Sequence, residues 1–141
     1  MKEAVGLLPV ALYLIVGAIS LVMAVKNLFA KRFLPFQGQA AGIQWDDIGK
    51  PTQRVILSLL RLIGMGFLVV SLLLIMCPVI TFFSPNMYHK LIPPILALFS
   101  CSGLLIVNYN LYRATKAATP WKGSLYACLA LITGIVISIL N

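Results

Sequence analysis

Few residues in this chain can do chemistry. Only three are acidic, and two of those, Asp46 and Asp47, stand side by side in QWDDIGKPTQR, residues 44–54. Two carboxylates suggest three roles: a general acid–base pair, a cation site, or the polar edge of a membrane helix. A catalytic pair must converge on one substrate, whereas neighbours on a helix point about 100° apart. A hard cation takes six or more oxygen ligands, and these two residues supply too few. A structural role demands less. Acids before a helix start favour its dipole. Asp47 lies four residues before Pro51, with Lys50, Arg54 and Arg61 following to be neutralised. We therefore give Asp46 and Asp47 a structural role and expect no catalytic residue, cofactor or metal.

Arg61 is the one charge inside an apolar stretch, VILSLLRLIGMG. Counted from Pro51 at 1.5 Å per residue, it lies about 15 Å along a helix. With the interface near Arg54, that is about 10 Å deep. An intramembrane charge points to function by default, although a long side chain can also snorkel to water. Asn108 and Asn110 come at comparable depth in another apolar run. We expect Arg61 to face the interior and bond an Asn, Asp47 or a backbone carbonyl. Cys77, Cys101 and Cys128 fall in three separate runs, with no CxxC and no His or acid at ligand spacing. Zinc or thiol chemistry needs several converging donors, so these read as packing residues. His89, alone beside Tyr88 and Lys90, reads as a loop residue.

Composition says what must position these residues. The 141 residues are 61% hydrophobic and 10% charged, against about 45–50% and about 25% in a soluble domain. So small a domain leaves too much surface exposed to hide that excess. Lipid must cover the rest. Charge-free runs at 4–25, 62–89, 91–112 and 123–141 each approach or exceed the about 20 residues that cross a bilayer as helix. Backbone groups in lipid must bond within the segment, which requires helices. No alternating ten-residue pattern suggests a barrel. The expectation is an all-α, four-helix transmembrane bundle forming one membrane domain over 1–141, with helices at about 4–33, 51–83, 92–113 and 120–140. The first span resembles a signal peptide in its flanks but exceeds the usual apolar length, so we read it as uncleaved.

The net charge of +8 is a topology signal. Lys26, Lys31, Arg32, Lys50 and Arg54 lie between spans one and two, and Arg113, Lys116 and Lys122 between spans three and four. Lys2 and Lys90 fall on the other side. Cytoplasmic loops carry the Lys/Arg excess, which places both basic loops inside and both termini outside. Anionic head groups attract such loops, so lipid explains the basicity and nucleic acid is not expected.

Along the chain, span one should continue as KNLFAKRFL on the membrane surface until Pro35 ends it. The 35–50 loop, with Gly38, Gly42 and Gly49, should lie at the interface, pinned by Trp45 and Ile48. Pro51 should open span two, and Pro78 should kink or end it. Ser84-Pro85 reads as a turn or helix start. Pro93-Pro94 should begin span three. Thr119, Pro120 and Trp121 read as cap, first-turn proline and interfacial anchor of span four. Small residues at helical spacing, among them Gly17, Ser20, Ala24, Gly64, Ala97, Cys101, Gly134 and Ser138, suit close helix approach or a dimer.

LPFQGQAAGIQWDDI, then QRVILSLLRLIG and YRATKAATPWKG, resembles a group of small bacterial membrane proteins with four predicted helices and no assigned activity. The resemblance implies that topology, a bacterial inner membrane and no chemistry. It makes Trp45, Asp46, Arg61, Pro120 and Trp121 the positions to watch. Small multidrug exporters carry a membrane-embedded Glu that this chain lacks. Small glutathione-handling membrane enzymes carry an Arg- and His-containing motif absent here. The leading expectation is a non-enzymatic structural, accessory or lipid-interacting component, whose partners are membrane lipids and either a second copy or another membrane protein. The alternatives are a transport or channel subunit using Arg61, Asn108 and Asn110, or an intramembrane enzyme using Asp46 or Asp47. A water-filled cavity reaching Arg61 from the cytoplasm would favour transport, an acyl chain in a lateral groove would favour lipid handling, and a closed dry bundle with a flat apolar flank would favour an accessory or oligomeric role.

Overall fold

The computed structural model describes residues 2–83 and 86–140, with side chains from residue 7 onward. Its helices are α1 (Lys2–Leu28), α2 (Pro35–Ala41), α3 (Lys50–Phe83), α4 (Met87–Thr115) and α5 (Trp121–Leu140), with a 3-10 turn at Trp45–Asp47. The described residues contain no strand. α1, α3, α4 and α5 are each long and apolar enough to cross a membrane. Only 17% to 33% of their most apolar windows is buried, and Phe82, Phe83 and Phe99 are at least 80% exposed. Water does not tolerate such a surface at this extent; hydrocarbon does.

The four long helices form a ring. α1 packs on α3 and α5, and α4 packs on the same two. Short connections after α3 and α4 make successive helices antiparallel. The bundle thus has a basic end, holding the 29–49 and 116–120 connections, and a far end where α3 finishes and α4 starts. Tyr13, Val16, Leu74, Cys77, Ala97, Cys101, Cys128 and Leu131 make up most of the core.

Several boundaries differ from expectation. α1 stops at Leu28 rather than running to about 33. Buried Asn27 turns its side chain back and donates to the Met23 carbonyl at 2.7 Å. The next bonds tighten, with Ala30 N–H reaching the Asn27 carbonyl three residues back, a usual way for a helix to end. Pro35 opens α2 instead of closing α1, because its missing N–H costs nothing at a first position. Gln37 Oε1 accepts from the Leu34 N–H at 2.8 Å, and Gly42 closes α2 at φ 63.

α4 begins at Met87, not near 92, and carries Pro93 and Pro94 inside it, both buried. Its true cap is Asn86, whose side chain accepts from the Tyr88 N–H at 3.1 Å. A proline lacks the N–H that would bond four residues back, so Pro94 leaves the Lys90 carbonyl without its helical donor. The Cys77 thiol of α3 takes that place, donating at 3.8 Å. α3 likewise continues through Pro78 to Phe83. The expected Ser84-Pro85 turn lies outside the described residues. At the basic end, Thr119 does not cap α5. Its hydroxyl donates to the Asn108 carbonyl of α4 at 2.9 Å, and the Pro120 carbonyl accepts from Ser124 N–H.

Candidate functional site

The polar residues singled out by sequence do not gather. Arg61, Asn110, Asp46 and Asp47 are exposed and Asn108 is half-buried. Among the described residues no hydrogen bond or ion pair joins any two of the five, and none holds the Arg61 guanidinium. The inward-facing, bonded Arg61 expected above is therefore corrected. α3 has 34 residues, more than a crossing needs, so its charge-free part can span lipid with Arg61 left at the edge. Asn108 instead donates from Nδ2 to Ser124 Oγ at 3.4 Å, which ties α4 to α5. Asp46 and Asp47 lie in the 3-10 turn without the basic partners expected. What secures that turn is Gln53, whose Nε2 donates to the Trp45 carbonyl at 2.8 Å.

The aromatic anchors have partners. Trp45 meets Phe33 edge-on at 5.2 Å, and the Phe33 ring in turn covers Gly38 of α2. Trp121 lies against Tyr109 and Tyr112 at 5.7 and 5.8 Å. Lys122 stands over the Trp121 ring and Lys116 over that of Tyr112. Aromatic rings beside cations at one helix end suit the head-group layer.

Two clefts enter the bundle. The first, about 120 Å³, lies at the far end. Its polar side is formed by Tyr13, Cys77, Thr81, Lys90 and Ser138. Tyr13 is only 3% exposed, and its hydroxyl is 3.2 Å from Ser138 Oγ. Pro9 and Pro78 supply apolar walls. The second cleft, about 220 Å³, lies at mid-depth on the α3–α4 seam. Ile63, Phe67, Val70 and Leu104 make it apolar, and Gly66 leaves it open. Ser20 of α1, 5% exposed, reaches its inner wall without a hydrogen-bond partner among the described residues.

No family model matches the chain, and no curated protein or solved structure matches it either. Geometry alone must carry the functional reading.

That geometry is poor in reactive groups and rich in exposed apolar surface. Among the described residues no three His, Cys, Asp or Glu side chains stand close enough to share a metal. The three cysteines are buried in the core as free thiols, with Cys128 Sγ 3.9 Å from Ser102 Oγ. Sequence inspection marked Cys77 and Ser138 only as packing residues. The signal that both line a cleft was present in their level along the helices, each near the far end opposite Tyr13. Without the register of α1 against α5 that level has no meaning.

Proposed function

We propose that the protein is a non-enzymatic, lipid-interacting component of a bacterial inner membrane. The observation that carries this reading is the lateral cleft on the α3–α4 seam, about 220 Å³, apolar, and opening where the exposed flank would meet acyl chains. Ser20 at its inner wall, together with Ser100 and Cys101, offers a few polar groups inside a mainly apolar pocket, the usual pattern of a small-molecule site. The transport alternative loses its support because Arg61 and Asn110 are exposed and neither lines the far-end or the lateral cleft described above. The enzyme alternative loses its support because the acids stand free on the surface. Leaving out Arg61 within α3, the eight-to-two distribution of basic residues across the two ends supports a cytoplasmic basic end with both termini outside. The exposed flanks leave room for a second copy or another membrane protein.

The test is direct. Protein stripped of lipid should gain thermal stability when phospholipid is added back, and Gly66→Phe, which fills the cleft, should remove most of that gain. No stabilisation of the stripped wild type by phospholipid would refute the reading. Cysteines placed at Lys31 and Lys116 should be labelled from the same side in inverted vesicles.

A further inference from the structure

We propose that the far-end cleft beside Lys90 binds the anionic head group of a membrane lipid. The inference rests on the protein being a lipid-interacting membrane component, but not on occupation of the lateral cleft.

Three observations converge. First, Lys90 is half-buried and lines the cleft, and among the described residues its ammonium has no ion pair or hydrogen-bond partner. A half-buried cation without a counter-charge favours an anion there. Second, the hydroxyl pair has a donor to spare. Tyr13 and Ser138 bring two O–H groups, and their 3.2 Å bond uses one. The other remains to donate to a ligand oxygen, and Tyr13 is held rigidly because it is 97% buried. Third, the lysine and hydroxyls sit between apolar walls, Pro9, Val10 and Pro78, next to exposed Leu7, Val79 and Ile80. A free inorganic anion gains nothing from those walls. A lipid places its phosphate or carboxylate at Lys90 and its chains along that flank.

The Cys77 thiol donates to the Lys90 carbonyl, so the acceptor that Pro94 orphans there is engaged within the protein.

The experiment is native mass spectrometry of the full chain in detergent, titrated with phosphatidylglycerol, phosphatidylcholine or inorganic phosphate. The wild type should bind one phosphatidylglycerol about fivefold more tightly than phosphatidylcholine, the effect of one lysine near a head group. Lys90→Gln should erase that preference, Lys90→Arg should keep it, and the double variant Lys116→Gln/Lys122→Gln at the other end should keep it. Should Lys90→Gln fail to fold, the double variant Tyr13→Phe/Ser138→Ala, which removes both hydroxyls, carries the test by weakening phosphatidylglycerol binding while Lys90→Arg does not. The proposal is overturned if Lys90→Gln retains the full preference, if Tyr13→Phe/Ser138→Ala binds phosphatidylglycerol as tightly as the wild type, if the basic-end variant alone removes the preference, or if inorganic phosphate displaces the lipid. Gly66→Phe should leave the preference unchanged. Full phospholipid stabilisation of Gly66→Phe with the Lys90-dependent preference intact would therefore refute the lateral-cleft reading and leave this one standing.

Discussion

The Tyr13 hydroxyl and Ser138 Oγ meet at 3.2 Å, joining α1 to α5 across 125 positions of sequence. The contact sets the depth of the first helix against the last, and Gly134 makes it possible. A Cβ at Gly134 would lie 2.6 Å from Cε1 of the Tyr13 ring. That ring is buried and tethered, so the helices would have to part. Gly134→Ala should cost about 1–3 kcal/mol through overpacking. Tyr13→Phe, which loses only the bond, should cost about 0.6 kcal/mol. Reversible unfolding in mixed micelles measures both. Equal losses would show that the ring swings aside freely.

The glycines of α3 should divide sharply. A Cβ at Gly64 would meet the Leu28 backbone nitrogen at 2.9 Å and the Ala24 carbonyl at 3.1 Å. Backbone does not rotate away, so Gly64→Ala should cost about 1–3 kcal/mol. At Gly66 and Gly103 a Cβ meets nothing within 4 Å. There alanine should stabilise by up to about 1 kcal/mol, since glycine is the poorer helix former. The same unfolding assay decides, and a destabilised Gly66→Ala would place an unseen neighbour against α3.

Ser71 is fully buried in α3, and its hydroxyl has no hydrogen-bond partner among the described residues. A buried polar group left unpaired costs about 1–3 kcal/mol. Ser71→Ala removes the group while keeping helix propensity high, so the variant should be more stable by about 1 kcal/mol. A loss of stability on the same scale would mean that the hydroxyl is satisfied.

What the sequence disclosed, and what it hid, follows from range. Four spans were legible because hydropathy over twenty residues is a local property, and α1, α3, α4 and α5 correspond to them. Several of the small residues at helical spacing, Gly17, Ala24, Gly64, Ala97 and Gly134, do lie at contacts. Gly66 and Gly103 have the same residue type without a neighbour, and nothing in their local sequence separates the two groups. Pro93-Pro94 misled because the Lys90 carbonyl that Pro94 orphans is rescued by Cys77 from another helix. Thr119 misled because its hydroxyl serves α4 instead of its own helix. The far-end cleft was invisible for the same reason: its residues come from four helices and only tertiary register assembles them.

Lys116 is the only non-glycine among the described residues with a positive φ, 56°, and it closes α4 in the left-handed region. That conformation costs a side chain about 1–2 kcal/mol. Its ammonium also stands 5.7 Å over Tyr112, so substitution removes a favourable contact too. Comparing Lys116→Gly with Lys116→Ala cancels the lost charge and leaves the backbone term. The glycine variant should be more stable by about 1 kcal/mol. Equal stability would show that the α4 end relaxes out of the left-handed region once the lysine is gone.

Arg61 should tolerate replacement. At 1.5 Å per residue the 34 residues of α3 extend ~51 Å, and a hydrocarbon core is about 30 Å thick. Residues 62–83, free of charge, cover ~33 Å by themselves. Arg61 then stands at the boundary, where its guanidinium reaches the head groups, in keeping with its exposure and its lack of a partner among the described residues. Arg61→Gln should therefore leave the thermal midpoint unchanged. A nitroxide on Arg61→Cys should report head-group depth by collision with polar relaxers. One on Leu72→Cys, about 16 Å further along the helix and also exposed, should report mid-bilayer. If the probe at 61 reads the hydrocarbon interior, or Arg61→Gln melts several degrees lower, the helix sits deeper than its charge-free length requires and Arg61 answers to a buried partner.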